Sequence, residues 1–381
     1  MEDYFEVEVV FMKDLAIYVH IPFCRQKCKY CDFNSYAGKQ EYIQEYIEAL
    51  TEEILRQAKK TKDYVVKSVY FGGGTPSFIS SEEIEKVVSM LRENYCFSDD
   101  LEMTIEANPG TVNAEKLAKY REIGFNRLSF GVQAVQDEIL REIGRIHTFD
   151  DVVLGYYAAR KVGFANISFD LMFGLPKQHL KDVEMSVDKF IELGPEHISA
   201  YSLKVEENTV FGKMEREKRL ILPSEDEERE MYYLIKERLK KARYEQYEIS
   251  NFAKPGQASR HNLAYWKRCD YIGFGAGAAS CFEEMRFSNI EELEEYINRI
   301  RKNESVRVEE ERLTEDVIHS EEIILGLRLK SGVRRDLFCS QKDTAALKKL
   351  IEAGLLREND SVILLTDKGL DLANQVFVEF I

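Results

Sequence analysis

Three cysteines near the N-terminus have the spacing that is most specific for chemistry. Cys24, Cys28 and Cys31 form a C-x3-C-x2-C pattern in the segment HIPFCRQKCKYCDFNSY. Thiolates bind soft metal ions, and three of them on one short loop can hold three irons of a [4Fe–4S] cube. The fourth iron is then left without a protein ligand, which is what a small molecule needs to chelate the cluster. The pattern therefore predicts an iron–sulfur cluster with one open iron.

A structural zinc ion is the competing interpretation of the same cysteines. Zinc in a structural site normally takes four protein ligands, so a fourth ligand would have to come from elsewhere in the chain. The candidates are a histidine or one of the remaining cysteines, which are Cys96, Cys269, Cys281 and Cys339. These cysteines are isolated in the sequence, and each is otherwise expected to act as a small apolar filler. Both metal interpretations stay open at this point.

The elements that must position the cysteines alternate between strand and helix. Strands are predicted at 15–21, 68–71, 101–107, 126–133, 165–174 and 197–203, and helices between them at 41–58, 81–94, 114–124, 150–163 and 179–194. Strands that are separated by helices favour a parallel sheet with right-handed crossovers. We therefore predict an α/β fold, an open or partial (β/α)6 barrel of the TIM type.

Polar or glycine-rich residues follow one predicted strand after another. They are His20 with the cysteine loop, Gly72–Thr75, Glu106 with Asn108, Gln133, Asp170, and Tyr201 with Lys204. In a barrel of parallel strands, the C-terminal ends of the strands carry the active site. We therefore expect these residues to meet in one site.

The alternation stops after residue 205. The patterns predict a charged helix at 224–244, a strand at 247–253 followed by a loop, a glycine- and alanine-rich segment at 271–282, and a charged helical segment at 289–312. From residue 313 the order helix, helix, strand and helix resembles a winged-helix module. We therefore predict a barrel with an extension over 1–300 and a small α+β winged-helix-like domain over 301–381.

Composition limits the possible partners and compartments. The 381 residues are 44% hydrophobic and 32% charged, which is typical of a globular protein. The formal net charge of −15 makes the chain a poor partner for phosphate backbones, so no nucleic-acid partner is expected. The chain has no apolar run of about 18 residues, so no integral membrane segment is expected. The N-terminal stretch MEDYFEVEVVFMKD lacks signal-peptide features, and we expect a cytoplasmic protein.

The cysteine triplet resembles that of the radical S-adenosylmethionine (radical SAM) superfamily. It follows a first strand and has an aromatic residue, Tyr30, directly before its last cysteine. The resemblance implies that Cys24, Cys28 and Cys31 bind a [4Fe–4S] cluster whose open iron chelates S-adenosylmethionine. In that superfamily, electron transfer from the cluster cleaves the sulfonium and yields a 5′-deoxyadenosyl radical.

The resemblance also implies which residues bind S-adenosylmethionine. Gly73, Gly74 and Thr75 in YFGGGTPSF would contact its methionyl amino group, and Glu106 would bind its ribose hydroxyls. Arg145 in GRIH would pair with the methionyl carboxylate through a two-pronged hydrogen bond. The remaining positions that match residues lining this cofactor are Tyr18, Tyr30, Gln133 and Asp170.

Longer motifs are similar to those of the oxygen-independent coproporphyrinogen III oxidase family. They are YxHIPFC, GGGTPS and FGVQ…GRIH…FDLMFGLP, and the likeness runs from about residue 15 to the C-terminus. Two activities occur in this family. One is the oxidase, a radical enzyme that decarboxylates two propionates of coproporphyrinogen. The other is a haem chaperone, which binds haem and delivers it to haem proteins.

Two features favour the chaperone branch. The oxidase typically has a further cysteine two places after the triplet, where this chain has Phe33. The segment RHNLAYW (260–266) also fits an H-N-x-x-Y-W motif that the oxidase lacks. The resemblance implies that His261, on a loop, is the axial ligand of haem iron, and that Tyr265 and Trp266 stack on the ring.

The sequence therefore predicts a haem chaperone that binds a [4Fe–4S] cluster, S-adenosylmethionine and haem. Its expected partners are haem and haem-accepting client proteins. No residue is assigned a catalytic role, and we expect no coproporphyrinogen oxidase activity. Whether the radical machinery turns over stays open, and the oxidase itself is the alternative function.

Overall fold

A computed structural model describes residues 12–381 of the chain. Residues 1–11 lie outside the described residues. They make up most of the N-terminal stretch in which no signal peptide is expected. The strands are β1 (Lys13–Ile21), β2 (Phe23–Cys24), β3 (Tyr36–Ala37), β4 (Tyr64–Gly73), β5 (Cys96–Ala107), β6 (Arg127–Gln133), β7 (Asn166–Phe173), β8 (His197–Ser202), β9 (Glu245–Gln246), β10 (Asn251–Ala253), β11 (Tyr271–Phe274), β12 (Ala279–Phe282), β13 (Met285–Asn289), β14 (Arg307–Arg312), β15 (Val333–Arg334), β16 (Leu356–Asn359) and β17 (Val362–Leu365). The α-helices are α1 (Ile43–Ala58), α2 (Ser81–Asn94), α3 (Ala114–Ile123), α4 (Asp137–Glu142), α5 (Phe149–Lys161), α6 (Leu180–Leu193), α7 (Val210–Arg216), α8 (Glu225–Lys241), α9 (Arg260–Trp266), α10 (Leu293–Arg301), α11 (Glu315–Arg328), α12 (Gln341–Glu352), α13 (Asp367–Asp371) and α14 (Ala373–Val378).

One large sheet contains the six predicted strands, side by side in chain order. Its order is β14-β13-β12-β11-β1-β4-β5-β6-β7-β8-β10-β9. Strands β1, β4, β5, β6, β7 and β8 pair in parallel, each with the next, because a helix returns the chain to the same edge between them. The prediction of an α/β fold built from six βα units is confirmed. A seventh parallel strand, β11, pairs with β1 on its other side.

Strand β4 shows how each strand divides its side chains between two faces. Val69 and Phe71 are fully buried in the apolar core under the helices. Ser68 and Tyr70 alternate with them and therefore face the interior of the barrel. A Cβ atom at Gly72 would lie 3.1 Å from the Tyr70 ring and 3.2 Å from the Glu106 carboxyl carbon. The barrel interior therefore contains polar groups, whereas its outer face is apolar.

Local signals set the helix ends. Helix α2 begins after Ser80, whose hydroxyl accepts a hydrogen bond from the amide of Glu83 at 3.2 Å, and helix α3 ends at Gly124, which has a left-handed φ of 113°. Helix α8 begins with a capping box formed by Ser224 and Glu227. Across residues 12–381, the helices lack the combination of length and apolar composition that crossing a bilayer requires.

Three predictions in the second half of the chain are wrong. The strand predicted at 247–253 is confined to β10, and in 247–250 only Glu248 forms a β-bridge, an isolated one to Leu329. The segment 260–266 is helix α9 and not a loop. Ser259 caps this helix, and the side chain of Glu102 accepts hydrogen bonds from its first two amides. The charged segment 289–312 is helical only in α10 and ends in strand β14, whose charges are exposed at the sheet edge.

The C-terminal residues build an apolar core of their own. It includes Ile323, Leu347 and Ile363 and packs helices α11 and α12 against the sheet β15-β17-β16. From residue 313 the elements run α11, β15, α12, β16, β17, α13 and α14, so the predicted order of helix, helix, strand and helix is extended by the short strand β15 and by a second strand, β17. Strand β14 lies beyond residue 300 yet belongs to the barrel sheet, and the division at 300/301 stays a prediction.

A buried carboxylate ties the glycine-rich segment to the barrel. Glu53 of α1 accepts hydrogen bonds from the Tyr296 hydroxyl at 2.6 Å, the Asn289 side chain at 2.6 Å and the Gly275 amide at 2.9 Å. Burial raises the pKa of Glu53 to about 7, although these three hydrogen bonds oppose the shift. The folded state therefore binds a proton that an unfolded chain, with a glutamate pKa of about 4.3, releases.

We predict that the free energy of unfolding falls as the pH rises from about 4.5 to about 7, because the folded-state pKa of Glu53 lies above the unfolded value. Glu53→Gln removes this titration, so the variant should gain roughly 1–3 kcal/mol relative to the wild type across that range. Urea unfolding at several pH values measures the difference. Glu52→Gln, at a half-exposed neighbour paired with Arg56, is the matched control. Equal pH slopes in both variants would contradict the role of Glu53.

Candidate cofactor site at the C-terminal ends of the strands

The parallel register brings the predicted site residues to one edge of the sheet. His20 pairs with Gly72 and Ile21 with Gly73. The cysteine loop, which carries Cys24, Cys28 and Cys31, therefore leaves β1 directly beside the glycine loop, Gly72–Thr75. Glu106 pairs with Ser129 on β6, and the Ser129 hydroxyl lies 3.5 Å from a carboxylate oxygen of Asp170 on β7. The structure therefore places residues from five consecutive strands around one region, as the sequence predicts.

The cysteine loop packs between the glycine loop and the segment after α4. Cys24 is buried, Cys28 and Cys31 are half-buried, and all three thiols are free. The Cys24 sulfur lies 3.5 Å from the Thr75 hydroxyl, and the amide of Lys29 donates to the Ile143 carbonyl at 3.0 Å. Burial raises the pKa of the Cys24 and Cys31 thiols, and the charge of Cys28 adds to both shifts.

The three thiols offer the donor set of an iron–sulfur cluster. All three are free, and three thiolates on one loop can each bind a separate iron of a [4Fe–4S] cube. Burial disfavours free thiolates here, so a positively charged metal centre is what would keep them ionised. The donor set therefore fits three corners of a [4Fe–4S] cube.

Three of the other cysteines lie at the opposite edge of the parallel sheet from the triplet. Cys96 begins β5, so it lies at the N-terminal edge of the parallel sheet, opposite the cysteine loop. Cys281 pairs with Tyr271, which begins β11 at that same edge, and Cys269 directly precedes β11. Three of the four cysteines that the zinc interpretation could use as a fourth ligand are therefore at the wrong end of the strands.

The glycine loop binds the cysteine loop through its backbone. The amides of Gly74 and Thr75 donate to the carbonyls of Ile21 and Phe23, each at 2.9 Å. Gly73 has a φ of +106°, and a Cβ atom there would lie 2.4 Å from the His20 ring. Packing alone therefore explains why glycine occupies these positions, because side chains there would keep the two loops apart.

Two carboxylates face the same region. The Tyr70 hydroxyl donates to Glu106 at 2.8 Å. Burial raises the pKa of Glu106 to about 7; the Tyr70 hydrogen bond opposes the shift and the charge of Asp170 adds to it. Burial also raises the pKa of Asp170 to about 6, against a hydrogen bond from Ser199. Both groups would be stabilised as anions by donors from a ligand.

Arg145 and Gln133 complete the polar lining. Burial opposes the charge of Arg145, but Tyr30, Cys28 and other neighbours raise its pKa overall. Within residues 12–381, its buried Nε atom has no hydrogen-bond partner, so it can donate to a ligand carboxylate. Gln133 has a left-handed φ of 72° and accepts a hydrogen bond from Tyr201 at 2.8 Å. Such strain is typical of functional sites.

A cavity of about 370 Å³ opens beside Glu106. Tyr18, Gly73 and Glu106 line it together with Phe33 and Tyr265. The Tyr18 hydroxyl lies 3.0 Å from Nδ1 of His20. Three predicted cofactor residues and one residue of the HNLAYW motif therefore face the same space.

His261 lies inside the barrel, not on a loop as predicted. Its side chain is 2% exposed; Nδ1 lies 2.9 Å from the Ser68 hydroxyl and Nε2 lies 2.9 Å from the Tyr265 hydroxyl. Burial lowers its pKa to about 3, and the charge of Arg127 adds to this, so the ring is neutral. Trp266 points elsewhere and packs under the Arg328 guanidinium at 4.2 Å.

Sequence reasoning missed several residues of this interior. Tyr70, Ser68, Glu102 and Arg127 are polar and inward-facing, and none was predicted as a site residue. The two-residue period of β4, counted back from Gly72, could have identified Tyr70 and Ser68.

We predict that Gly73→Ala destabilises the protein by roughly 1–3 kcal/mol more than Gly38→Ala, because its Cβ must displace the His20 ring. Gly38 is the matched control: it also has a left-handed φ, of +78°, but nothing lies within 4 Å of a Cβ there. Urea unfolding of the metal-free variants measures the difference. Equal costs would show that the two loops do not need this close approach.

Comparisons with known proteins agree with this geometry. The radical SAM superfamily model matches residues 18–190, and the HemN C-terminal domain model matches residues 313–372. A protein of Bacillus subtilis (strain 168) named heme chaperone HemW is 42% identical over 375 residues, covering 96% of this chain and 99% of that protein. A Lactococcus lactis protein of the same name is 37% identical, covering 97% and 98%.

A solved structure shares the whole fold. Coproporphyrinogen III oxidase (HemN) from Escherichia coli, described as a radical SAM enzyme, matches with a TM-score of 0.85 and 25% identity, covering 97% of this chain and 90% of that chain. Radical SAM membership implies a [4Fe–4S] cluster and S-adenosylmethionine. The resemblance inferred from the motifs is confirmed: this chain belongs to the family of radical SAM proteins that includes those named heme chaperone HemW.

Proposed function

We propose that this chain is a haem chaperone on a radical SAM scaffold, which binds haem and delivers it to haem proteins. The observation that carries the proposal is its similarity to relatives named heme chaperone HemW along nearly their whole length. As part of the proposal, the protein acts in the cytoplasm on haem-accepting client proteins. Its net charge of −15 argues against nucleic acid as a partner.

Cys24, Cys28 and Cys31 would hold the cluster, one thiolate to each of three irons. Support comes from their free thiols on one loop and from the closeness of Cys24 to Thr75. The cluster and S-adenosylmethionine together supply radical chemistry when bound. The protein residues bind and orient them.

The S-adenosylmethionine site would combine fixed donors and acceptors. Glu106 would accept hydrogen bonds from the ribose hydroxyls, and the unpartnered Nε of Arg145 would donate to the methionyl carboxylate. The glycine loop would lie beside the amino group. The other residues proposed to line the site are Tyr18, Tyr30, Gln133 and Asp170.

His261 is the proposed axial ligand of haem iron, and its neutral ring has the lone pair that iron needs. Both ring nitrogens already make hydrogen bonds, so coordination requires one of these bonds to open. Nε2 is the favoured nitrogen, because its partner Tyr265 lines the cavity.

The oxidase is the second candidate function, favoured by the fold shared with coproporphyrinogen III oxidase. Phe33 argues against it, because this position has a 63% exposed aromatic ring where the oxidase typically has a thiol. Anaerobic incubation of the reduced cluster protein with coproporphyrinogen and S-adenosylmethionine separates the two functions. We expect no decarboxylated product, and its appearance would favour the oxidase.

We predict that anaerobically reconstituted protein contains about four iron and four sulfide per chain, and that Cys24→Ser, Cys28→Ser and Cys31→Ser each lose most of both. Iron, sulfide and zinc assays measure this. Cys96→Ser is the matched control, because that thiol is exposed at the opposite edge of the sheet. A colourless protein with zinc in place of iron would contradict the cluster assignment.

We predict that haem titration shifts the Soret band of the wild type and that His261→Ala weakens this binding several-fold. Tyr265→Phe should bind haem at least as tightly, because it frees Nε2. His197→Ala is the matched control, since His197 is equally buried and also bonds to a serine and a tyrosine. The absence of any spectral change in the wild type would reject haem binding, and equal affinity in His261→Ala would reject this ligand.

A further inference from the structure

The His261 ring stacks on the ring of Tyr70 inside the barrel. Their centroids are 5.0 Å apart and the two planes are inclined by 24°. Ser68 and Tyr265 fix the His261 ring through its two nitrogens, each at 2.9 Å. The imidazole is therefore held in one orientation and gives Tyr70 a rigid flat neighbour.

Tyr70 has a second aromatic neighbour, which lies close to the first. The Tyr18 ring stacks on it with centroids 6.3 Å apart and an interplanar angle of 24°, and the centroids of the Tyr18 and His261 rings are 6.5 Å apart. The Tyr70 hydroxyl reaches Glu106 at 2.8 Å. The chain of contacts thus runs from His261 through Tyr70 to the carboxylate at the cavity.

The backbone of helix α9 is anchored to the same sheet. Glu102 on β5 accepts hydrogen bonds from the amides of Arg260 and His261, both at 3.1 Å, and from the Ser259 hydroxyl at 3.3 Å. Glu102 pairs with Ser68 in the register of β5 and β4. Helix α9 is therefore attached to β4 through the His261 ring and to β5 through the amides of its first turn.

We propose that His261 is a positioning residue for the S-adenosylmethionine site, which holds Tyr70 so that the Tyr70 hydroxyl orients the Glu106 carboxylate toward the ribose. This inference rests on the proposed function, in which Glu106 binds the ribose hydroxyls. It gives the histidine of the HNLAYW motif a role when haem is absent.

The same contact favours the ionised form of Glu106. The Tyr70 hydrogen bond lowers the pKa of Glu106, which burial raises to about 7. The other groups that face Glu106 are Asp170, which raises its pKa, Arg145 and the Gly73 amide, which lower it, and Tyr18. An ionised carboxylate accepts from both ribose hydroxyls, whereas a protonated one gives up part of that capacity. Loss of the Tyr70 hydroxyl should therefore move the onset of tight binding to higher pH.

The test measures binding of S-adenosylmethionine to the full chain with its cluster reconstituted, by equilibrium dialysis between about pH 6 and about pH 8. We expect Tyr70→Phe to weaken binding roughly tenfold near neutral pH and to shift the pH profile upward, since one hydrogen bond to a charged group is lost. His261→Gln should change affinity in the same direction with the iron content unchanged.

Two controls carry the same chemical changes elsewhere. Tyr64→Phe removes the hydroxyl of a tyrosine at the other end of β4. That hydroxyl donates a hydrogen bond to Asp270 at 2.8 Å. His197→Gln alters a histidine that bonds to Ser168 and Tyr247, each at 2.8 Å. Both controls should retain wild-type affinity and pH profile.

The possible failures are distinguishable. Unchanged binding in Tyr70→Phe, or an equal loss in Tyr64→Phe, would overturn the positioning role while the S-adenosylmethionine site stands. A wild type that carries the cluster but binds no S-adenosylmethionine would overturn the site itself and this role with it. Tyr70→Phe keeps the ring and its packing, so the test does not depend on whether His261→Gln folds.

Discussion

The parallel register between β1 and β4 is the constraint on which the rest of the site depends. It aligns Ile21 with Gly73, so the backbone of the glycine loop can bond to the chain that enters the cysteine loop. A shift by one residue would turn Tyr70 and Gly72 to the apolar side of the sheet. The parallel pairing continues through β5, β6 and β7, and the carboxylates of Glu106 and Asp170 then lie near the buried guanidinium of Arg145.

Burial of ionisable groups away from water is the common physical feature of this space. Burial raises the pKa of Glu106 and Asp170 here and of Glu53 behind the glycine-rich segment. Groups that are costly to charge in isolation respond strongly to a neighbouring donor or cation. Burial makes ionisation of these carboxylates unfavourable in free energy. A ligand that brings hydroxyls, an ammonium group or iron would therefore stabilise their ionised forms.

Much of this arrangement could be predicted from the sequence, because it follows from local patterns. The alternation of strands and helices fixed the parallel sheet, and Gly72–Thr75, Glu106 and Gln133 could be placed at strand ends by position alone. The helix at 260–266 could not, since it is stabilised by Glu102, far away in the sequence. Strand β14 was also missed, because the exposed charges of an edge strand look like those of a helix. The interior position of His261 depends on two long-range contacts, the hydrogen bond of its amide to Glu102 and that of its ring to Ser68.

The central claim is that three thiolates leave one iron of the cube open for S-adenosylmethionine. The most direct test is the electron paramagnetic resonance spectrum of the reduced cluster, recorded anaerobically with and without S-adenosylmethionine. The account predicts a [4Fe–4S] signal whose g-values change when the cofactor is added, because a ligand enters at the open iron. A cluster signal that S-adenosylmethionine leaves unchanged, with all four irons already bound by the protein, would contradict it.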